Sequence, residues 1–270
     1  MARAQSVKWT REHLLIALNL YCKLPFGQFH DTNPLIVDVA KKMGRSAGSL
    51  EMMLNNFASV DPIQKARGIR GLPGIAKNAE AQWHQYFENL STLGPESEQL
   101  LHDLFTADDS KEVSLLAGDK AEFAPSKTPD GPTEVMANRK VRRGQNFFRD
   151  TVLSAYGVRC CISGINVPRL LVASHIKPWG KFPEVRLEPR NGLCLSSLHD
   201  AAFDAGLITL DEKLAVVLGK RLRSFFPQPA LEQSFVPFEG KIIQLPSKLA
   251  EPDPAFLAYH RNDVFGSVNQ

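Results

Sequence analysis

The sequence predicts an α+β chain in two parts, an N-terminal helical domain over residues 1–105 and a C-terminal α+β domain over 139–270, joined by a linker over 106–138. Three observations carry this division. Capping residues stand ahead of apolar positions at helical spacing through the first part. From Thr106 to Asn138 the composition turns acidic and then rich in proline and glycine, as linkers do. Beyond it come short apolar runs bounded by turn residues, which read as strands among helical segments.

Composition bounds the rest. With 43% apolar and 23% charged side chains among 270 residues, the chain has the make-up of a globular protein. No apolar run has the length of a membrane span, and Met1–Lys8 lacks the apolar core of a signal peptide. No membrane partner is therefore expected, and the cytoplasm is the expected location. A net charge of +3 is too small to mark a nucleic-acid binder; the clustering of charges has to decide. Cys22, Cys160, Cys161 and Cys194 form no Cys-x-x-Cys pair, so no structural zinc is expected. Adjacent Cys160 and Cys161 read as one buried and one half-exposed thiol.

In chain order, Thr10 caps a first helix, with Trp9 placed to staple against Leu14 and with Leu14, Ala17, Leu18 and Tyr21 on one buried face. Asn33 and Pro34 open a second, which Gly44 ends. Ser46 caps a third, striped by Leu50, Met53, Leu54 and Phe57. The Gly-Arg-Ser turn between the second and third gives a helix-turn-helix-like arrangement. Its third helix would lay Ser49, Asn55 and Asn56 on double-stranded DNA, with Arg45 on phosphate. The same helices would equally serve as a bundle that binds a protein partner. Helices over Ala76–Leu90 and Glu96–Phe105 complete the domain. After the linker, Arg139, Lys140, Arg142 and Arg143 make the densest positive cluster, suited to a duplex backbone and to salt-dependent binding. They lead into a helix with Phe148, Val152, Ala155 and Tyr156 at core spacing.

The chemistry concentrates further on. Leu170–Ala173 reads as a short buried strand that ends in Ser174-His175-Ile176-Lys177-Pro178-Trp179. Asn191-Gly192-Leu193 heads the next segment, and His199 stands where Asp200-Ala201-Ala202-Phe203 begins to read as helix. A neutral imidazole can take a proton from water or hold a divalent ion. A histidine at the strand end and another at the helix start, facing one cleft, would divide those tasks. Asn191 cannot titrate and suits holding the backbone of the loop that carries His175. Lys177, Lys181, Arg186 and Arg190 line that loop, within reach of a phosphate.

Ser174 to Trp179, Asn191 to Leu195 and His199 to Leu207 together resemble the HNH endonuclease family, in its compact Ser-His-Ile-x-Pro-Trp, Asn-Gly-Leu, His-x-x-x-Phe-Asp branch. The resemblance implies a ββα-metal domain and a metal-dependent DNA endonuclease that leaves 5′-phosphate and 3′-hydroxyl ends, as in bacterial restriction or defence. It implies His175 as general base, Asn191 as the loop-orienting residue and His199 as a ligand of Mg²⁺, Mn²⁺ or another divalent ion. Many relatives place Asp or His before the base where this chain has Ser174. The second ligand is thus open among Asp200, Asp204 and Ser174 through a water. One such site cuts one strand, so a double-strand break requires a homodimer or two visits. Ser174 also keeps open a DNA-binding protein whose nuclease fold is inactive.

Past the motif, Leu207–Leu210 and Leu214–Leu218 read as strands around an Asp211-Glu212-Lys213 turn, and Gly240–Pro246 as a further strand. A helix over Pro254–Phe265 closes the chain, with His260 as a packing residue.

Overall fold

Residues 8–70, 76–106, 111–114, 122–125, 134–249 and 251–269 are described by a computed structural model. They divide into two units, Met1–Asp150 and Thr151–Gln270.

The first unit is built on α1 (Arg11–Lys23), α2 (Pro34–Lys42), α3 (Ala47–Ala58), α4 (Pro62–Ala66), α5 (Ala76–Glu88) and α6 (Leu90–Phe105). At four of these helix starts a side chain satisfies amides left unpaired by the helix. Thr10 accepts from the His13 N–H at 3.2 Å, Asn33 from Leu35 at 2.9 Å, Ser46 from Ser49 at 3.2 Å and Asp61 from Ile63 at 2.9 Å. The spacing of α1 predicts one buried face, yet every residue from Leu15 to Lys23 is buried. The reason is position: α3, α5 and α6 all pack against it, and a helix enclosed on all sides is a core helix.

Central placement forces polar groups of α1 into the interior, where they must be paired. Lys23 is fully buried, its Nζ 2.7 Å from Glu98 Oε1 and 3.0 Å from Asp150 Oδ2. Burial works against its charge, but the two carboxylates outweigh it and raise the pKa. Asn19 donates to Ser97 and Glu98, both at 3.0 Å, and the Tyr21 hydroxyl to Asp61 at 2.7 Å.

The turn from α2 to α3 is tight because Gly44 takes φ +67°, a conformation that costs glycine little. Arg45 stacks its guanidinium 3.9 Å above the Trp9 ring and donates from Nε to His13 Nδ1 at 3.3 Å. Trp9 thus meets Arg45 and the edge of His13. One expectation about α3 needs correcting. Asn56, placed on the solvent face by periodicity, is 3% exposed. Packing of α3 against α1, α2 and α5 encloses its last turn, Asn56 to Ala58, on all sides.

Much of the expected linker, residues 107–110, 115–121 and 126–133, lies outside the described residues. Between those stretches β1 (Lys111–Ser114) pairs antiparallel with β2 (Glu122–Pro125). Helix α7 (Glu134–Ala155) then runs through the division between the units.

The second unit centres on β3 (Leu171–His175), β4 (Gly192–Ser196) and α8 (Ser197–Asp204). The strands pair antiparallel from Leu171 opposite Ser196 to His175 opposite Gly192, and α8 packs on both. A second antiparallel pair, β5 (Ile208–Leu210) and β6 (Val216–Leu218), turns at Asp211, whose carboxylate accepts from Lys213 and Ala215, both at 2.8 Å. Short helices follow: α9 (Lys220–Arg223), α10 (Pro229–Phe235), α11 (Pro254–Tyr259) and α12 (Gly266–Val268). The strand expected over Gly240–Pro246 is absent, leaving isolated bridges from Ala215 to Ile242 and from Val216 to Glu239. Gly240 takes φ +71°, which breaks an extended run. The closing helix is also interrupted, passing into a wider π turn over His260–Phe265. His260 there is buried, stacked 3.6 Å from the Phe203 ring and bonded to Thr209 Oγ1 at 2.8 Å and to the Phe203 carbonyl at 3.0 Å. All four cysteines are buried thiols; Cys160 at 0% and Cys161 at 3% exposure are alike rather than one buried and one half-exposed. Among the described residues no helix is long and apolar enough to cross a membrane.

Candidate active site

Strand β3 delivers His175 at its C-terminal end, and the loop that follows closes around it. The His175 Nε2 lies 3.0 Å from the Arg186 carbonyl oxygen. A carbonyl only accepts, so Nε2 carries the proton, and in the neutral ring Nδ1 is then the basic nitrogen. Burial holds the His175 pKa below its ordinary value; the Arg186 carbonyl acts against this and the Arg186 charge with it. The ring is therefore neutral near pH 7. Trp179 packs edge-on to it at 5.3 Å, and Arg186 donates from Nε to the Trp179 carbonyl at 2.7 Å, folding the loop back on itself.

Asn191, fully buried, ties the two ends of that loop together. Its Oδ1 accepts from the Lys177 N–H at 2.8 Å, while its Nδ2 lies 3.2 Å from the carbonyls of both Lys177 and Val185. A buried amide that uses donor and acceptor together fixes backbone that strand pairing does not reach.

His199 sits in the first turn of α8, which Ser196 caps. It is 3% exposed. Its Nε2 donates to the Ser234 carbonyl at 2.9 Å, and its Nδ1 lies 2.8 Å from the Ser196 hydroxyl. Phe235 and Phe238 stand edge-on at 5.2 and 5.7 Å. Cys160 Sγ lies 3.7 Å from the same Nδ1. Burial pushes that thiol up, but His199, Ser163 and nearby amides bring it down to about 6. Both ring nitrogens of His199 are thus engaged by protein.

Residues 160–211 match the family model described as HNH endonuclease. This segment belongs to the HNH endonuclease family. No curated protein matches the chain.

The HNH segment also gathers oxygen donors. Ser174, next to His175 on β3, stands beside Asp200 of α8. Its buried hydroxyl meets no partner at full hydrogen-bond geometry. It lies near enough to Asp200 to lower that carboxyl's pKa, although burial raises it overall. Asp204, one helical turn on, is pushed up to about 6 by burial and by the charge of Asp200. A carboxylate whose pKa is raised by its neighbour's charge, beside a buried hydroxyl, makes a region that a cation would relieve. Among the described residues no three His, Cys, Asp or Glu side chains converge as a metal-ligand group.

The basic residues marked in the sequence have separate surroundings where they are described. Lys177 lies among aromatic rings, and Arg190 pairs with Asp253 Oδ2 at 2.7 Å while remaining 44% exposed. Arg143 is half-buried, and the side chains of Arg139, Lys140 and Arg142 lie outside the described residues. In the first unit Arg45 reaches Ser49 Oγ at 3.4 Å, and Asn55 is exposed. Sequence reading missed the main-chain carbonyls of Arg186 and Ser234, and it missed Cys160 and Ser196 beside His199. Only the capping position of Ser196 left a signal in the sequence.

Proposed function

We propose that the C-terminal domain, taken as residues 139–270, is a metal-dependent DNA endonuclease with His175 as its general base. The observation that carries this reading is the fixed tautomer of His175: Nε2–H on the Arg186 carbonyl makes Nδ1 the proton acceptor, in a ring kept neutral by burial. Nδ1 takes a proton from water, and the resulting hydroxide attacks the phosphorus in line with the departing 3′ oxygen. The products are 5′-phosphate and 3′-hydroxyl ends. Asn191 positions the base by holding the main chain of Lys177.

For the divalent ion, Asp200, Asp204 and Ser174 fit better than His199. They offer hard oxygen donors, among them a buried hydroxyl with no partner at full hydrogen-bond geometry, and Mg²⁺ needs few protein ligands because it keeps waters and substrate oxygens. His199 would have to surrender a hydrogen bond before either nitrogen met an ion. A bound Mg²⁺ or Mn²⁺ supplies neutralisation of the phosphate and of the leaving oxygen.

On the same reading the N-terminal domain, residues 1–105, binds double-stranded DNA through Arg45, Ser49 and Asn55, and the Arg139–Arg143 cluster adds backbone contacts. Cutting both strands calls for a homodimer or two visits, and bacterial restriction or defence in the cytoplasm is the proposed setting. The test is plasmid cleavage with Mg²⁺, Mn²⁺ or chelator, followed by ligation of the products. Ion-dependent nicking that yields directly ligatable ends is expected. DNA bound but uncut with every ion and with modified DNA would instead support an inactive nuclease fold.

A further inference from the structure

The loop from Ile176 to Arg190 carries the partner of the catalytic imidazole, yet it contains little regular structure beyond single 3-10 turns at Pro183–Val185 and Pro189–Asn191. Holding such backbone still costs conformational entropy at every residue. Two contacts to α11 act on it, both inside the second unit. The Lys177 ammonium lies 4.5 Å from the centroid of Phe182, 5.1 Å from that of Phe256 and 5.6 Å from that of Tyr259. Phe182 and Tyr259 pack edge-on at 4.9 Å. Three ring faces around one cation form a cage whose attraction grows as water is excluded. At the far end of the loop Arg190 pairs with Asp253, and the Asp253 N–H donates to the Arg190 carbonyl at 3.0 Å. Asp253 also caps α11, accepting from Ala255 at 2.8 Å.

We propose that Lys177 is a positioning residue: its caged ammonium, together with the Arg190–Asp253 pair, makes α11 a brace that holds the base-bearing loop. The brace deepens the nuclease reading and rests on it for its catalytic consequence. Its rings from Phe256 and Tyr259 lie beyond residues 160–211, so the matched HNH segment draws part of its rigidity from outside itself. The competing role for Lys177 is a direct phosphate contact, and the two roles give opposite results.

The experiment compares the full chain with Lys177→Met, which keeps the stem and loses the charge, Lys177→Arg, which keeps a cation over the rings, and Phe256→Leu and Tyr259→Leu. Cleavage of a duplex with Mg²⁺ gives kcat and KM, and a salt series gives binding. Hydrogen exchange follows the amides of Ile176 and Lys177, which bond to the Asn191 main-chain and side-chain oxygens at 2.9 and 2.8 Å. The brace predicts that the Met and both Leu variants lose about tenfold or more in kcat, since small misplacements near reacting groups cost that much. KM and the salt slope stay unchanged, the two amides exchange faster, and Lys177→Arg recovers most of the loss. The proposal is overturned if Lys177→Met weakens binding and reduces the salt slope by about one while the ring variants behave as wild type. It is equally overturned if kcat and exchange are unmoved throughout. Should the wild type cut nothing, the nuclease reading fails separately, and the exchange data alone still decide the brace: faster exchange upholds it, unchanged exchange removes it.

Discussion

The end of β3 and the start of α8 each present a histidine whose Nε2 meets a main-chain carbonyl, Arg186 at 3.0 Å in one case and Ser234 at 2.9 Å in the other. Around His175 the walls are a loop edge and Trp179, and the ring is half-buried. Around His199 they are Phe235, Phe238 and Cys160, the ring is 3% exposed, and a serine hydroxyl meets its second nitrogen. The same anchoring therefore serves two ends. At β3 it selects a tautomer, which on the proposed reading suits proton transfer. At α8 it joins a closed set of hydrogen bonds that locks α8 to α10. Residue type within a motif names candidates; burial and surroundings differ sharply between the two.

That contrast can be broken first at the carboxylates. Converting Asp200 and Asp204 together to Asn should reduce Mg²⁺-dependent cleavage by about a thousandfold, since ion stabilisation of the developing charge is worth several kcal/mol. Titration with Mn²⁺ should show a matching loss of ion affinity. Asn191→Ala comes next. It strips partners from the Lys177 N–H and from the Lys177 and Val185 carbonyls, and unpaired buried groups should cost about 3 kcal/mol in urea unfolding. Cleavage should fall with it even where the protein remains folded.

His199→Leu sharpens the comparison from the other side. It leaves the Ser196 hydroxyl and the Ser234 carbonyl without their partner, so stability should drop by about 2 kcal/mol, read as a lower Tm. Mn²⁺ affinity of the folded fraction should stay that of the wild type. An effect of similar size, confined to acid pH, is expected at His260. Burial lowers its pKa from 6.5 to about 4, so the fold favours the neutral ring. Its contribution is complete above about pH 6.5 and declines as pH falls toward 4, by about 2 kcal/mol between pH 7 and pH 5. Replacing His260 with Gln should flatten that part of the stability profile.

The order of His175, Asn191 and His199 was legible in the sequence because side chains with particular chemistry must recur at particular spacings. Helix starts at Thr10, Asn33 and Ser46 were legible for the same reason. The partners of the two histidines were not, because a main-chain carbonyl belongs to every residue and Arg186 and Ser234 carry no mark. The cage around Lys177 draws on Phe182 and on Phe256 and Tyr259 from α11, and lysine followed by scattered aromatics is common. Burial of Asn56 depends on a third neighbour of α3, which the period of one apolar face does not encode. Gly240, by contrast, signalled the break in the expected last strand, and the apolar Ile242, Ile243 and Leu245 after it masked that signal.

The measurement that tests the account most directly is single-turnover plasmid cleavage with Mg²⁺ by wild type and His175→Ala, at enzyme concentrations that saturate binding and with equal Tm confirmed. The account predicts a loss of about a thousandfold in the variant, within the span of a general base, with plasmid affinity retained. Cleavage by His175→Ala at the wild-type rate would contradict it and move the proton-accepting role away from the end of β3.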